Sequence, residues 1–292
     1  MARLTTRRRR LRGYLYVLPA LLVYVTFAVL PALHTVYLSL FDWDGVTLGG
    51  WAGLDNYRTV LTDSVLRRSV VNALVLVVFF SVLPILAGLV LTALLARYRR
   101  PGMGAFRLLF MLPHVVPLVA VGVTWRWLYG EDGLVNQTFR AVGLDGLTRA
   151  WLGDFDSALV AVGLVGAWVL SGLCVMLFLS GVAKVDPSLY EAARLDGAGP
   201  VREFRSVALP QLRGEIAVAL TVTTVAALAS FDIVYVTTNG GPGEQTTVPS
   251  LLVYRLAFSD AQVGLAAALA TVLSGLILVL VYVINRLSRS AT

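Results

Sequence analysis

Tyr190-Glu191-Ala192-Ala193-Arg194-Leu195-Asp196-Gly197-Ala198-Gly199-Pro200 decides the fold of this chain, running on through Phe204 to Leu209-Pro210. It is a polar island between two apolar runs long enough to cross a bilayer, so an ordered element is expected between two membrane helices. Asp186-Pro187 reads as an N-cap followed by proline at the first helical position, and Gly197 and Gly199 read as the stop. A second short helix is predicted from Gly199-Pro200. Val201, Phe204, Val207 and Ala208 form its apolar stripe, with Arg202, Glu203, Arg205 and Ser206 opposite. Pro210 is expected to end it.

Composition sets the medium. With 58% hydrophobic and 14% charged residues over 292 positions, the chain is too apolar for a soluble globular domain, in which roughly half apolar and a quarter charged is usual. A hydrocarbon core of about 30 Å needs about 20 helical residues. Six segments meet that length: 14–40, 69–96, 105–129, 157–183, 214–237 and 262–285. Backbone polar groups must be satisfied internally in lipid, so an all-α membrane protein of six transmembrane helices is predicted. The alternating pattern of barrel strands is absent from the sequence.

The net charge of +7 would suit nucleic acid, but its distribution points to a membrane. With the N-terminus inside, the cytoplasmic segments carry Arg3, Arg7 to Arg10, Arg12, Arg97, Arg99, Arg100, Arg107, Lys184, Arg194, Arg202, Arg205, Arg213, Arg286 and Arg289. That is 17 of the 24 basic residues. The positive-inside rule then places both termini in the cytoplasm of a multi-pass plasma-membrane (inner-membrane) protein. Arg7 to Arg12 reads as a topology and lipid-headgroup signal rather than a nucleic-acid patch. The run from Tyr14 is too long for a signal-peptide h-region and is taken as an uncleaved first helix. The expected organisation is a basic tail at 1–13, one six-helix domain at 14–285 with a cytoplasmic loop at 184–212, and a second tail at 286–292. The single cysteine, Cys174, lies in a predicted span, so there is no disulfide framework.

Glu-Ala-Ala, then Asp-Gly-Ala three residues on, then Phe and Leu-Pro, resembles the EAA loop of the membrane subunits of bacterial ABC importers; Val207 stands where that pattern has isoleucine. Gly53-Leu54-Asp55-Asn56-Tyr57, which otherwise reads as part of a compact acidic loop, is similar to an outer segment of the carbohydrate-importer permeases, as is Gly133-Leu134-Val135-Asn136. Phe231-Asp232, Thr238 and Gly240-Gly241-Pro242 resemble the Phe-Asp and Thr-x-Gly-Gly-Pro signature of the carbohydrate type. The resemblance covers nearly the whole chain. It implies a type I ABC importer transmembrane domain carrying a di- or oligosaccharide or a polyol phosphate. The partners it implies are a second homologous permease in a heterodimer, two ATP-binding subunits and an extracytoplasmic solute-binding protein, with no nucleic acid. ATP and magnesium would sit on the partner ATPase, leaving no cofactor or metal in this chain.

The resemblance also implies site residues. Glu191, Ala192, Ala193, Asp196, Gly197, Phe204, Leu209 and Pro210 would couple to the ATPase. Glu191 would pair with a basic group at the cleft rim, the two alanines would allow close approach, and Gly197 would let the backbone turn. Phe204 and Leu209 would pack the second helix beneath the bundle. In the family the fifth helix helps line the sugar path, so Thr223, Ser230 and Asp232 are pathway candidates, with Trp168 and Ser171 on the fourth helix. For Asp232 a local cap on the Gly-Gly-Pro turn is the alternative. His114, in Leu112-Pro113-His114-Val115-Val116-Pro117, reads as satisfying a kink or as a ligand, and the two prolines predict a broken third helix. Gly163, Gly166, Ala167, Ser171 and Gly172 predict a helix–helix seam, within the subunit or against a partner.

Other functions find little support in the residues. The one lysine, Lys184, is followed by Val185, so no phosphate loop exists here. Two separated histidines and one cysteine give no metal constellation. An ion-driven secondary transporter would want paired ionisable groups in mid-membrane and usually an internal repeat, whereas Asp232 stands alone. A peptide or amino-acid importer would share the EAA-like loop but not the Gly-Gly-Pro pattern.

Overall fold

The computed structural model describes residues 16–96 and 103–289. Residues 1–15, 97–102 and 290–292 lie outside that set, and the first two of these stretches carry part of the charge asymmetry.

The first span is α1 (Tyr16–Leu38), with a π-helical turn at Val25–Val29. Where an acidic loop was expected, a short hairpin follows: β1 (Phe41–Trp43) pairs antiparallel with β2 (Leu48–Trp51), setting Phe41 opposite Trp51 with their rings edge-on at 5.1 Å. Its turn is built by Asp44, whose carboxylate accepts the amides of Val46 and Thr47 at 2.8 and 2.6 Å. Those two bonds hold the Asp44 carboxyl below its ordinary 3.8. After α2 (Asp55–Thr62), the second span α3 (Ser64–Leu95) starts five residues earlier than predicted. Asp63 caps it, accepting from the amides of Val65 and Leu66.

The third span is broken, as its prolines require. α4 (Met103–Val115) and α5 (Leu118–Leu128) meet at a 102° bend, where Pro117 is extended at φ −56, ψ 133. α6 (Leu134–Ala141) lies in the following loop, and α7 (Ala158–Val182) is the fourth span.

α8 (Pro187–Leu195) and α9 (Pro200–Gln211) are the two short helices expected from the polar island. The second contains a π-helical turn at Phe204–Ala208 and ends at Gln211, one residue past Pro210, in line with the sequence expectation. α10 (Arg213–Leu228) leaves at 70° to α9. The predicted fifth helix is also divided. The backbone departs from helical geometry at Phe231 (φ −128) and resumes as α11 (Asp232–Thr237). α11 packs on α5 at Gly122, where an added Cβ would lie 3.0 Å from Val236 and would press the two helices apart by a few tenths of an ångström. α12 (Pro249–Phe258) fills a stretch with no predicted helix, and α13 (Val263–Arg289) is the last span.

The helices group into two units. In the first, residues 16–62 with Val253–Val272, Asn56 donates to the carbonyls of Ser39 and Phe41 at 2.9 and 3.0 Å, and the Tyr57 hydroxyl meets the Ser39 hydroxyl at 2.5 Å. The segment that resembles the family's outer loop is therefore a staple on the end of α1. In the second unit, Asp63–Leu252 with residues 273–289, α7 runs through the centre against α3, α4 and α10. The predicted seam of small residues lies within this chain. A Cβ at Gly166 would sit 1.9 Å from the Phe80 ring, and one at Gly172 would sit 2.2 Å from the Phe110 carbonyl oxygen. Val162, Val165, Val175 and Phe178 fill the remaining gaps and are fully buried.

Candidate functional site

The element at 184–212 is built from local chemistry upward. Asp186 accepts the Ser188 amide at 2.9 Å, and that bond holds its carboxyl below 3.8 and starts α8. Gly197 ends α8 at φ +77, a left-handed conformation that glycine adopts without a Cβ penalty. The Ala198 amide returns to the Ala193 carbonyl at 2.9 Å and the Gly197 amide to that of Arg194 at 3.0 Å. At its base, Lys184 reaches Glu215 at 3.1 Å, joining the end of α7 to the start of α10, where Gly181 allows the two helices to approach.

Of the residues proposed for coupling, Glu191, Ala192, Asp196, Gly197 and Pro210 are exposed, Ala193 and Leu209 are half-buried, and Phe204 packs against a cluster of Cys174, Phe178, Leu212 and Ala219. Leu212, which was not singled out from the sequence, is the fully buried anchor beneath α9. Leu195 was missed, and Val201, expected in the apolar stripe of the second helix, does not pack: Leu195 is 90% exposed and Val201 72%, apolar side chains standing bare on either side of the Gly197 turn.

The pathway candidates separate. Thr223 does not face an open path: it is fully buried, with its hydroxyl 2.8 Å from both the Ser81 hydroxyl and the Ala219 carbonyl, and it ties α10 to α3. Desolvated hydroxyls in lipid need such partners, and Ser81, alone in an apolar run, was the overlooked one. Ser171 donates to the Trp168 carbonyl of its own helix at 2.7 Å. Trp168 is half-exposed and meets Trp125 edge-on at 5.5 Å. Ser230 is buried at the break between α10 and α11, and Asp232 follows it, exposed. Asp232 is not the cap of the Gly-Gly-Pro turn. That turn is held by Thr246, whose hydroxyl meets Thr238 at 2.7 Å and the Gly241 carbonyl at 2.8 Å, and by Asn72, which donates to the carbonyls of Gln245 and Thr247 at 2.9 Å each. His114 is exposed and makes no hydrogen bond to a carbonyl of its kink among the described residues.

Beside that turn, at the ends of α5 and α11, lies an open cleft of about 400 Å³ whose wall includes Arg126, Tyr129, Glu131, Thr238 and Pro242. Its other rim is held by Asn136, which is 1% exposed. The Asn136 amide donates to the carbonyls of Gly130, Glu131 and Arg149, and its oxygen accepts the Trp151 indole N–H at 2.8 Å. The sequence gave Asn136 only as part of a resembling segment; its work as a hub depends on residues 149–151, beyond any local pattern.

Several apolar spans, a bent third span and an ordered polar element between α7 and α10 define a multi-pass membrane transport subunit. The chain belongs to the family of inner membrane components of binding-protein-dependent transport systems, which it matches over residues 45–290. It is 37% identical over 262 residues, 89% of either chain, to the probable ABC transporter permease protein YurN of Bacillus subtilis. It is 33% identical over 276 residues, 92% of either chain, to the trehalose/maltose transport system permease protein MalF of Thermococcus litoralis. With the diacetylchitobiose uptake system permease protein NgcF of Streptomyces coelicolor it shares 32% over 285 residues, covering 92% of this chain and 80% of that one. The fold matches a chain of the crystal structure of a bacterial ABC transporter that imports the acidic polysaccharide alginate, with a TM-score of 0.82 over the whole of both chains at 22% identity. The predicted ABC importer transmembrane fold is thus the observed one.

Proposed function

We propose that this chain is the translocation subunit of an ATP-driven carbohydrate importer and that residues 184–212 are the grip for a separate ATPase. The observation that carries the coupling role is the bare apolar pair Leu195 and Val201, the most exposed aliphatics of an ordered element clipped to α7 and α10 by Lys184 and Glu215. Exposed aliphatics on a rigid knob suit a partner's cleft. With both termini and this knob in the cytoplasm, ATP binding would close the ATPase dimer, carry α8 and α9 with it and tilt α7 and α10 between inward- and outward-open states. Only the difference in affinity for the two states does that work. ATP and magnesium would be held by the ATPase.

A second membrane subunit is favoured by physics as well as by resemblance. Leu112, Val115 and Leu118 flank the 102° bend and are exposed, and irregular backbone persists in lipid only under protein or beside water. A heterodimer with a homologous permease would cover it, completed by two ATPase subunits and an extracytoplasmic binding protein. A carbohydrate cargo is supported by the names of the relatives and by the cleft, where Arg126 and Glu131 offer donors and acceptors to a hydroxyl-rich solute. Asp232, Ser230, Trp168 and Ser171 stay assigned to the path; Thr223 serves packing.

The test is co-purification of this chain with an ATPase and a binding protein, followed by a thermal-shift screen of that binding protein. Stabilisation by a di- or oligosaccharide supports the assignment. A response confined to peptides or amino acids overturns the carbohydrate class, and a chain that isolates without an ATPase overturns the coupling role.

A further inference from the structure

The turn between α8 and α9 is open. An added Cβ at Gly197 or Gly199 would meet nothing within 4 Å, so packing does not hold these two positions. Across that turn, Arg194 at the end of α8 forks onto Glu203 in α9, with Nε donating to Oε2 at 3.0 Å and Nη2 to Oε1 at 3.1 Å. Two parallel bonds from a planar guanidinium fix direction as well as distance, which a single contact cannot do. Glu203 is only 19% exposed, and Tyr190 lies close enough that burial, and then the Glu203 charge, raise the pKa of its phenol. The Tyr190 hydroxyl is buried on the same side and has no hydrogen-bond partner among the described residues.

We propose that Arg194 and Glu203 are positioning residues: their fork braces α8 against α9, so that the bare Leu195 and Val201 are presented at a fixed separation and the motion of one short helix is passed to the other. This rests on the reading of 184–212 as the ATPase grip. Neither residue is needed to touch the partner. Without the brace, the two helices are joined by the glycine turn and a small packing contact, and movement of α8 would be absorbed there instead of reaching α10.

The assembled importer in nanodiscs provides the test, using Arg194→Ala, Glu203→Gln and the swap Arg194→Glu/Glu203→Arg. In the single variants, amide exchange across residues 196–201 rises roughly two- to five-fold, the factor that a partly exposed ion pair supports. ATP hydrolysis also becomes less dependent on the loaded binding protein, and the swap restores both. High salt loosens the native chain in the same direction. A lost amide plateau alone could reflect simple destabilisation, so the decisive readout is rescue by the swap together with recovered control of hydrolysis. The brace is refuted if single variants exchange and hydrolyse as the native chain does, or if the swap stays as loose as the singles. A cysteine at Ala192 that cross-links to the ATPase in every variant shows that the grip itself stands; no cross-link even in the native sequence overturns the grip and leaves the exchange result to judge the brace.

Discussion

Substitution at Gly197 separates backbone strain from docking, because the two effects rank the same replacements in opposite order. Gly197 sits at φ +77, and a Cβ placed there meets nothing within 4 Å. The cost within the chain is therefore the left-handed conformation alone, about 1 kcal/mol for alanine, or roughly fivefold in a local equilibrium. Aspartate enters that region more readily than alanine, so strain makes Gly197→Asp the milder change. Close approach of an ATPase surface makes it the more severe one, adding bulk and a charge that must be desolvated. Both variants are expected to insert and purify at near-native yield. Transport by the reconstituted importer is expected to fall a few-fold for Gly197→Ala and more than tenfold for Gly197→Asp. Gly197→Asp transporting as well as Gly197→Ala, or better, would refute the docking explanation.

Other parts of the structure can be probed separately. Gly172→Ala places a methyl 2.2 Å from the Phe110 carbonyl and is expected to cost about 1–3 kcal/mol, seen as a lower thermal midpoint in detergent; Gly275→Ala, with open space around it, is the matched control and leaves the midpoint near native. Asn136→Ala strands buried backbone carbonyls and is expected to cost about 1–3 kcal/mol, with protease sensitivity appearing first in residues 130–153. The Asp186 carboxyl is held below 3.8 in the folded chain, so its cap is fully present above that value and is lost as pH falls through the folded pKa. Amide exchange at the start of α8 should accordingly differ between native and Asp186→Ala near neutrality and converge in acid.

The polar island was the most legible part of the chain because its signals are local: a capping aspartate, a proline at the first helical turn and a glycine stop, all within a dozen residues. The spans were legible from hydropathy, but their interruptions were not uniformly so. Pro113 and Pro117 announce a break in α4–α5, whereas the break at Phe231 has no proline to announce it. Pro210 marked its helix end to within one residue, while nothing in the sequence marked the π turn at Phe204–Ala208. Thr223 was misassigned because a hydroxyl on an apolar helix reads identically whether it faces water or another hydroxyl; only the position of Ser81, 142 residues away, decides. Asn72 acts at greater remove still, 173 residues from Gln245, while Asn56 and Asn136 reach carbonyls 17 and 13 residues away; composition marked their loops as polar without marking these three as the residues that hold them.

The most direct measurement places a cysteine at Leu195, the most exposed apolar side chain of the α8–α9 element, in a chain whose native Cys174 is fully buried and does not compete. With both partner membrane and ATPase subunits present, that cysteine should react with a membrane-impermeant reagent only in inside-out vesicles and should cross-link to the ATPase in a nucleotide-dependent way. Labelling from the outer face, or free labelling from the inner face with no cross-link in any nucleotide state, would contradict the assignment of this knob as the point where ATP hydrolysis takes hold of the membrane helices.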